Sequence, residues 1–245
     1  MDRQVTCIRG RTSDRTAGAG AGAQALAERL GGSVVGEPGE PAVRDWSEDL
    51  PTARPVLEAA AAAVREALDA GRLPVLTASD CSICLATFPE VVLREPDVHV
   101  AWIDAHGDFN TPETTPSGFL GGMCLAASCG RWDADGWPGT LDPGRVHMLG
   151  VRDLDPGEER EVDAAGVSAE VPDGVPLYVH LDTDVLDPSV MAAQFPVLDG
   201  WDARRLRAQL AELAAGCRIV GVEVTALEDV RAVELVADAL APLLD

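Results

Sequence analysis

The chain has no lysine: all 19 of its basic residues are arginine. That excludes Schiff-base chemistry and the lysine of a phosphate-binding P-loop. Positive charge is scarce altogether, with 19 arginines against 41 acidic side chains and a formal net charge of -22. The isoelectric point is about 4.4. Such an anionic excess argues against nucleic acid as a partner. No apolar run is long enough to span a membrane, and Met1-Asp2-Arg3-Gln4 leads into no apolar secretion segment. The six cysteines therefore read as reduced thiols of a cytoplasmic protein. Cys81 and Cys84 form a CxxC with no second pair to complete a zinc knuckle, which leaves a redox pair open there. Cys7, Cys124, Cys129 and Cys217 read as small buried side chains.

What is present is a patterned, apolar-rich chain. With 245 residues, 47% of them hydrophobic, it can bury a sizeable core, and we expect one catalytic domain over 1–245. Strand patterns fall at Val5–Arg9, Val34–Val35, Leu73–Thr77, Val98–Ile103, Val146–Val151, Leu177–Leu181 and Ile219–Val224. Helical patterns fall between them, at Ala21–Leu30, Arg54–Ala70, Ile83–Phe88 and Leu206–Ala215, with Val230–Leu240 closing. This alternation predicts an α/β fold, a three-layer α/β/α sandwich with a mainly parallel sheet. The stretch from Phe109 to Gly122 reads as a long functional loop.

Two motifs carry chemistry. Trp102-Ile103-Asp104-Ala105-His106-Gly107-Asp108 and His180-Leu181-Asp182-Thr183-Asp184 each set acidic residues at alternate positions where an apolar strand ends. Alternate residues of a strand face the same way, so Asp104, His106 and Asp108 are expected to converge, and Asp182 with Asp184 likewise. One Asp-x-Asp alone is ordinarily a loop opening or a helix cap. Two of them at adjacent strand ends would repel strongly unless cations lay between, and we read a site for two divalent metals. The carboxyl edge of a parallel sheet is also where ligands bind in such folds.

These residues resemble the arginase/ureohydrolase family. Asp104 to Pro112, with Ser117-Gly118, is similar to its second metal motif. Gly150-Val151-Arg152-Asp153-Leu154-Asp155-Pro156-Gly157-Glu158 is similar to its substrate loop, and Leu181 to Pro188 to its next metal motif. The resemblance implies two ions, manganese foremost, bridged by Asp104 and Asp182. Asp108 would complete one metal site, and His106 with Asp184 the other. It implies attack of a metal-bridging hydroxide on a guanidino carbon, with Asp184 and His106 as the catalytic pair. It also implies that Asn110, Ser117, Asp155 and Glu158 hold an amino-acid head group. The expected partner is thus a small guanidino or amidino substrate. Arginase relatives are commonly trimers or hexamers; the sequence leaves open whether this chain is a homo-oligomer.

Three positions depart from the family pattern. Cys81 stands where its first metal motif supplies a histidine, and a thiolate ligand there would soften the site. Gly121 stands where many arginases keep a proton-shuttling histidine; His147 and His180 read first as structural residues. Ala226 stands where a glutamate contacts the guanidinium, with Glu223 and Glu228 as alternative carboxylates. The head-group end of the pocket is preserved and the reacting end altered. This resembles the branch acting on Nω-hydroxy-L-arginine; the alternatives are an arginase or other ureohydrolase, or a non-catalytic relative.

Overall fold

In the computed structural model, which describes residues 2–244, strands and helices alternate. β1 (Arg3–Ile8) precedes α1 (Gly18–Arg29) and the short β2 (Ser33–Val35). α2 (Trp46–Asp69) leads to β3 (Leu73–Thr77), and α3 (Cys84–Arg94) to β4 (His99–Ile103). Next come α4 (Cys124–Ser128), β5 (Val146–Leu149), α5 (Pro156–Ala165) and β6 (Pro176–Asp182). α6 (Ala203–Gly216), β7 (Arg218–Thr225) and α7 (Val233–Leu244) follow. The strands form one sheet in the order β2-β1-β3-β7-β6-β4-β5, every neighbouring pair parallel. Parallel pairing requires crossovers, and the crossover helices cover both faces, giving the expected α/β/α sandwich.

Strand alternation divides the core in two. Leu76, Val100, Trp102 and Tyr178 face one side and pack with Leu57, Val64 and Phe88 of α2 and α3. Val75, Ala101, Ile103, Val179, Leu181 and Val222 face the other and pack with Leu26, Leu206, Leu210, Val236 and Leu240 of α1, α6 and α7. Burying each such aliphatic side chain stabilises by about 1.5–3 kcal/mol. Among the described residues no helix is long and apolar enough to cross a membrane.

Helix boundaries differ from expectation at α2 and α3. α2 begins at Trp46 rather than Arg54 and contains Pro51 and Pro55. Asp45 caps it by accepting the Ser47 N–H at 3.0 Å, and Leu50, Ala53, Leu57, Ala60 and Val64 bury a continuous stripe. That burial outweighs the ladder hydrogen bonds the prolines remove. α3 likewise runs through Pro89 to Arg94 instead of ending at Phe88. α5 was not foreseen at all, although Asp155, Pro156 at the first turn and Glu158 form a capping box.

Candidate active site

The sheet brings the motif-bearing strand ends together. β4 and β6 pair with Ile103 opposite Leu181, β6 and β7 with Asp182 opposite Thr225, and β3 and β7 with Thr77 opposite Val224. Cys81 opens a single helical turn just beyond β3. Asp80 caps that turn, accepting the Ser82 N–H at 3.0 Å and its hydroxyl at 2.5 Å. Cys81, Asp104, His106, Asp108, Asp182 and Asp184 all line one cavity of about 440 Å³, as do Asn110, Ser117, Asp155 and Glu158.

Strand alternation is not what aims the first motif. β4 ends at Ile103, and the chain turns at once, with His106 bridging to Asp153. Asp108 then adopts a left-handed backbone, φ 50°, a conformation costing an L-residue roughly 1–2 kcal/mol. Its carbonyl accepts the N–H groups of Leu125 and Ala126 at 3.1 and 3.2 Å, which ties the turn to α4.

Three carboxylates share one design, in which a backbone N–H holds one oxygen and frees the other. Asp104 Oδ1 accepts the His106 N–H at 2.6 Å, Asp182 Oδ1 the Asp184 N–H at 2.8 Å, and Asp184 Oδ1 the Ala105 N–H at 3.2 Å. The second oxygens meet soft or cationic partners. Asp182 Oδ2 lies 2.8 Å from Cys81 Sγ, Asp104 Oδ2 3.9 Å from the same sulfur, and Asp184 Oδ2 3.0 Å from His106 Nδ1. Thr225 adds its hydroxyl at 3.2 Å from both Cys81 Sγ and Asp182 Oδ2.

Crowding so much potential negative charge out of water shifts its protons. Burial, then the Asp184 charge, raises Asp104 to about 6. Burial and the Asp104 charge raise Asp108, while burial with Asp184 and Asp104 raises Asp182. The Cys81 thiol is pushed well up by burial and by Asp182. His106 goes the other way: burial disfavours its cation, yet hydrogen bonds to Asp104 and Asp184 push it up to about 12. Burial would also raise Asp184, but its contact with His106 lowers it. Burial and mutual repulsion thus favour protons on most of these groups when no cation offsets their charge. Oxygen, imidazole and thiolate donors converging this closely fit divalent cations, which would replace those protons.

The residues expected at the head-group end are tied to one another. Asn110 Nδ2 donates to Asp155 Oδ2 at 3.0 Å, and Thr114 Oγ1 donates to Asn110 Oδ1 at 2.9 Å. Ser117 is exposed at the cavity mouth. Glu158 lines the cavity while accepting the Phe109 N–H on one oxygen and the Asp155 N–H on the other, at 2.7 and 3.1 Å. Burial still raises it to about 7. Glu158→Ala is expected to cost about 1–3 kcal/mol by orphaning two amides, and to raise KM more than it lowers kcat. Denaturant unfolding and steady-state kinetics would measure both.

The three departures acquire physical content. A Cβ at Gly121 would come within 2.4 Å of the Phe119 ring, so phenylalanine fills the space a side chain at 121 would need. Ala226 lines the cavity in a left-handed conformation, φ 54°. Of the alternative carboxylates, Glu228 lines the cavity and accepts from Thr16 Oγ1. Glu223 is fully buried and bonded to Thr87, Tyr178 and His180. His147 stacks on His99, Nε2 to Nδ1 2.8 Å, and does not line the cavity. Gln194, Phe195, Pro196 and Val197, none anticipated from sequence, form a further wall. Phe119 and Phe195 meet at a tilt, with centroids 4.9 Å apart and planes 57° apart, and Arg15 lies over both rings.

An acidic cavity at the carboxyl edge of a parallel sheet, with donors suited to divalent cations, is the arrangement of a metal-assisted α/β enzyme. The comparisons make it particular: residues 15–237 match the model of the arginase family, and the chain belongs to that family. It is 40% identical to Nω-hydroxy-L-arginine amidinohydrolase from Streptomyces lavendulae, over 96% of this chain and 92% of that protein. It is 34% identical to an arginase from Bacillus caldovelox over 68% of this chain and 64% of that protein. The solved structure of arginase from Bacillus caldovelox superposes with a TM-score of 0.83 at 27% identity, covering 100% of this chain and 98% of that one.

Proposed function

We propose that the chain, working as one catalytic unit, hydrolyses Nω-hydroxy-L-arginine to hydroxyurea and L-ornithine. Water oxygen bonds to the guanidino carbon, and the C–N bond to the ornithine side chain breaks. The departing nitrogen keeps the electron pair and gains a proton. The observation that carries the substrate is the altered reacting end of the pocket: Cys81 sits among the carboxylates and Phe119 occupies the space beside Gly121. A hydroxyguanidine is less basic than a guanidine and brings its own hydroxyl, so it depends less on a side-chain proton shuttle. The 40% identity to an enzyme named for this substrate supports the reading.

Cys81, Asp104, His106, Asp108, Asp182 and Asp184 are the residues that would hold two divalent ions, manganese foremost. Such ions supply acidified water and offset negative charge as the planar carbon becomes tetrahedral. Asp184, its Oδ1 held by Ala105 and its Oδ2 beside His106, takes the proton from attacking water and returns it to the leaving nitrogen. His106 steadies that carboxylate. Asn110, Ser117 and Asp155 orient the amino-acid head group, and Glu158 fixes Asp155 from behind.

Ornithine release from manganese-loaded protein, with L-arginine and Nω-hydroxy-L-arginine compared side by side, tests this. We expect kcat/KM for the hydroxylated substrate to be at least tenfold higher, a difference of about 1.4 kcal/mol in transition-state binding. Equal or greater activity on arginine would make the chain an arginase instead.

A further inference from the structure

We infer that His180 is a metal ligand, meeting one ion of the site together with Cys81 and Asp104. This rests on the metallohydrolase reading above and extends it to a residue that the sequence reading took as structural. The ligand atoms of Cys81, Asp104 and His180 all lie within 4.8 Å of one another, and all three residues are buried. His180 does not contribute to the cavity surface, because it reaches the cluster from behind, within the sheet.

The ring is set up as a metal-bound histidine would be. Its Nδ1 lies 2.7 Å from Glu223 Oε1, while Glu223 Oε2 accepts from Thr87 Oγ1 at 2.7 Å and Tyr178 Oη at 3.0 Å. With two hydroxyl donors already aimed at it, the carboxylate is an acceptor, so Nδ1 carries the hydrogen and Nε2 the lone pair. That Nε2 is fully buried and has no hydrogen-bond partner among the described residues. Orphaned buried polar atoms are costly and uncommon. The ring cannot tilt away, because it lies flat on Trp102, with centroids 3.6 Å apart and planes 1° apart. Carboxylate, then imidazole, then metal is the usual support for a histidine ligand.

Charge gives the reason. An ion held by the Cys81 thiolate together with Asp104, Asp108 and Asp182 would face more negative charge than it carries. A neutral imidazole adds a donor without adding charge. Sulfur and nitrogen together also make this position softer than the one beside His106 and Asp184.

The test uses the chain labelled with 15N-histidine and loaded with 113Cd²⁺, read by NMR. We expect 113Cd–15N coupling at two histidines, His106 and His180, with His99 and His147 uncoupled. His180→Gln should remove one coupling and His106→Asn the other, so either variant alone completes the assignment. Coupling at His106 alone would overturn the His180 ligand and leave the metallohydrolase reading standing. Coupling at neither histidine would overturn both.

Discussion

Replacing Asp182 by asparagine is expected to lower turnover by roughly 10²–10³-fold or more, the scale on which preorganised charge acts in enzyme sites. The same change should stabilise the metal-free protein. Asp182 Oδ1 accepts the Asp184 N–H and Oδ2 lies against Cys81 and Thr225, contacts that a carboxamide largely reproduces. What it loses is the negative charge that Asp184 and Asp104 oppose and that burial penalises. Asp182→Asn should therefore be more stable than the parent in chelator, while binding fewer ions per chain. Metal analysis, ornithine release and thermal unfolding of the same preparation would show the trade. A variant retaining full turnover would remove Asp182 from the proposed centre.

The second large effect is on pH. In the metal-free protein Asp104 is raised to about 6, and Asp14 and Glu158 to about 7; burial is the leading cause in each, joined at Asp14 by the neighbouring Asp80. Between the ordinary carboxylate range and these raised values, the folded state holds protons that the unfolded chain has released. Stability is thus greatest below about pH 4 as far as these groups are concerned, and falls as pH rises through about 6–7. Asp184 has the opposite sign, being lowered by His106, and its contribution is lost as pH falls through its depressed value. Burial also raises Asp108 and Asp182, so five raised carboxylates stand against the lowered Asp184 and predict a net loss of stability from about pH 5 to pH 8 in chelator. Manganese should reverse it, because ions replace the protons. At a thousand times Kd the gain is about 4 kcal/mol, or roughly 8–16 °C in midpoint for a chain of this size. Metal-free protein that grows more stable from pH 5 to pH 8 would contradict the assignment of these protons.

Much of this was legible in the sequence because it was written locally. Strand-length apolar runs before Asp104 and Asp182 located both motifs at the carboxyl edge of a parallel sheet. The first turns of α2 and the last turns of α3 were missed, since burial of a helix stripe is a tertiary gain that local pattern does not weigh. The capping box at Asp155–Glu158 was local and readable, yet its residues were read only as a substrate loop. Other features had no local trace. Asp108 needs α4 to hold its left-handed turn, Phe119 fills the room beside Gly121 only once the loop folds back, and Gln194 to Val197 reach the pocket from a loop with no motif. The lone pair of His180 becomes visible only when Glu223 and Trp102 arrive from other strands.

The strand order has a consequence for how the protein is made. β7 is the last strand along the chain, yet it lies in the middle of the sheet, between β3 and β6. β3 leads to Cys81, while β4 and β6 deliver the aspartates. Until β7 enters, these stand on two separate half-sheets with an open edge each. Before β7 enters, Cys81 on the β3 side is apart from the aspartates carried by β4 and β6, so the position shared by the sulfur and the carboxylates is incomplete. β7 is the keystone that joins the two halves of the candidate centre.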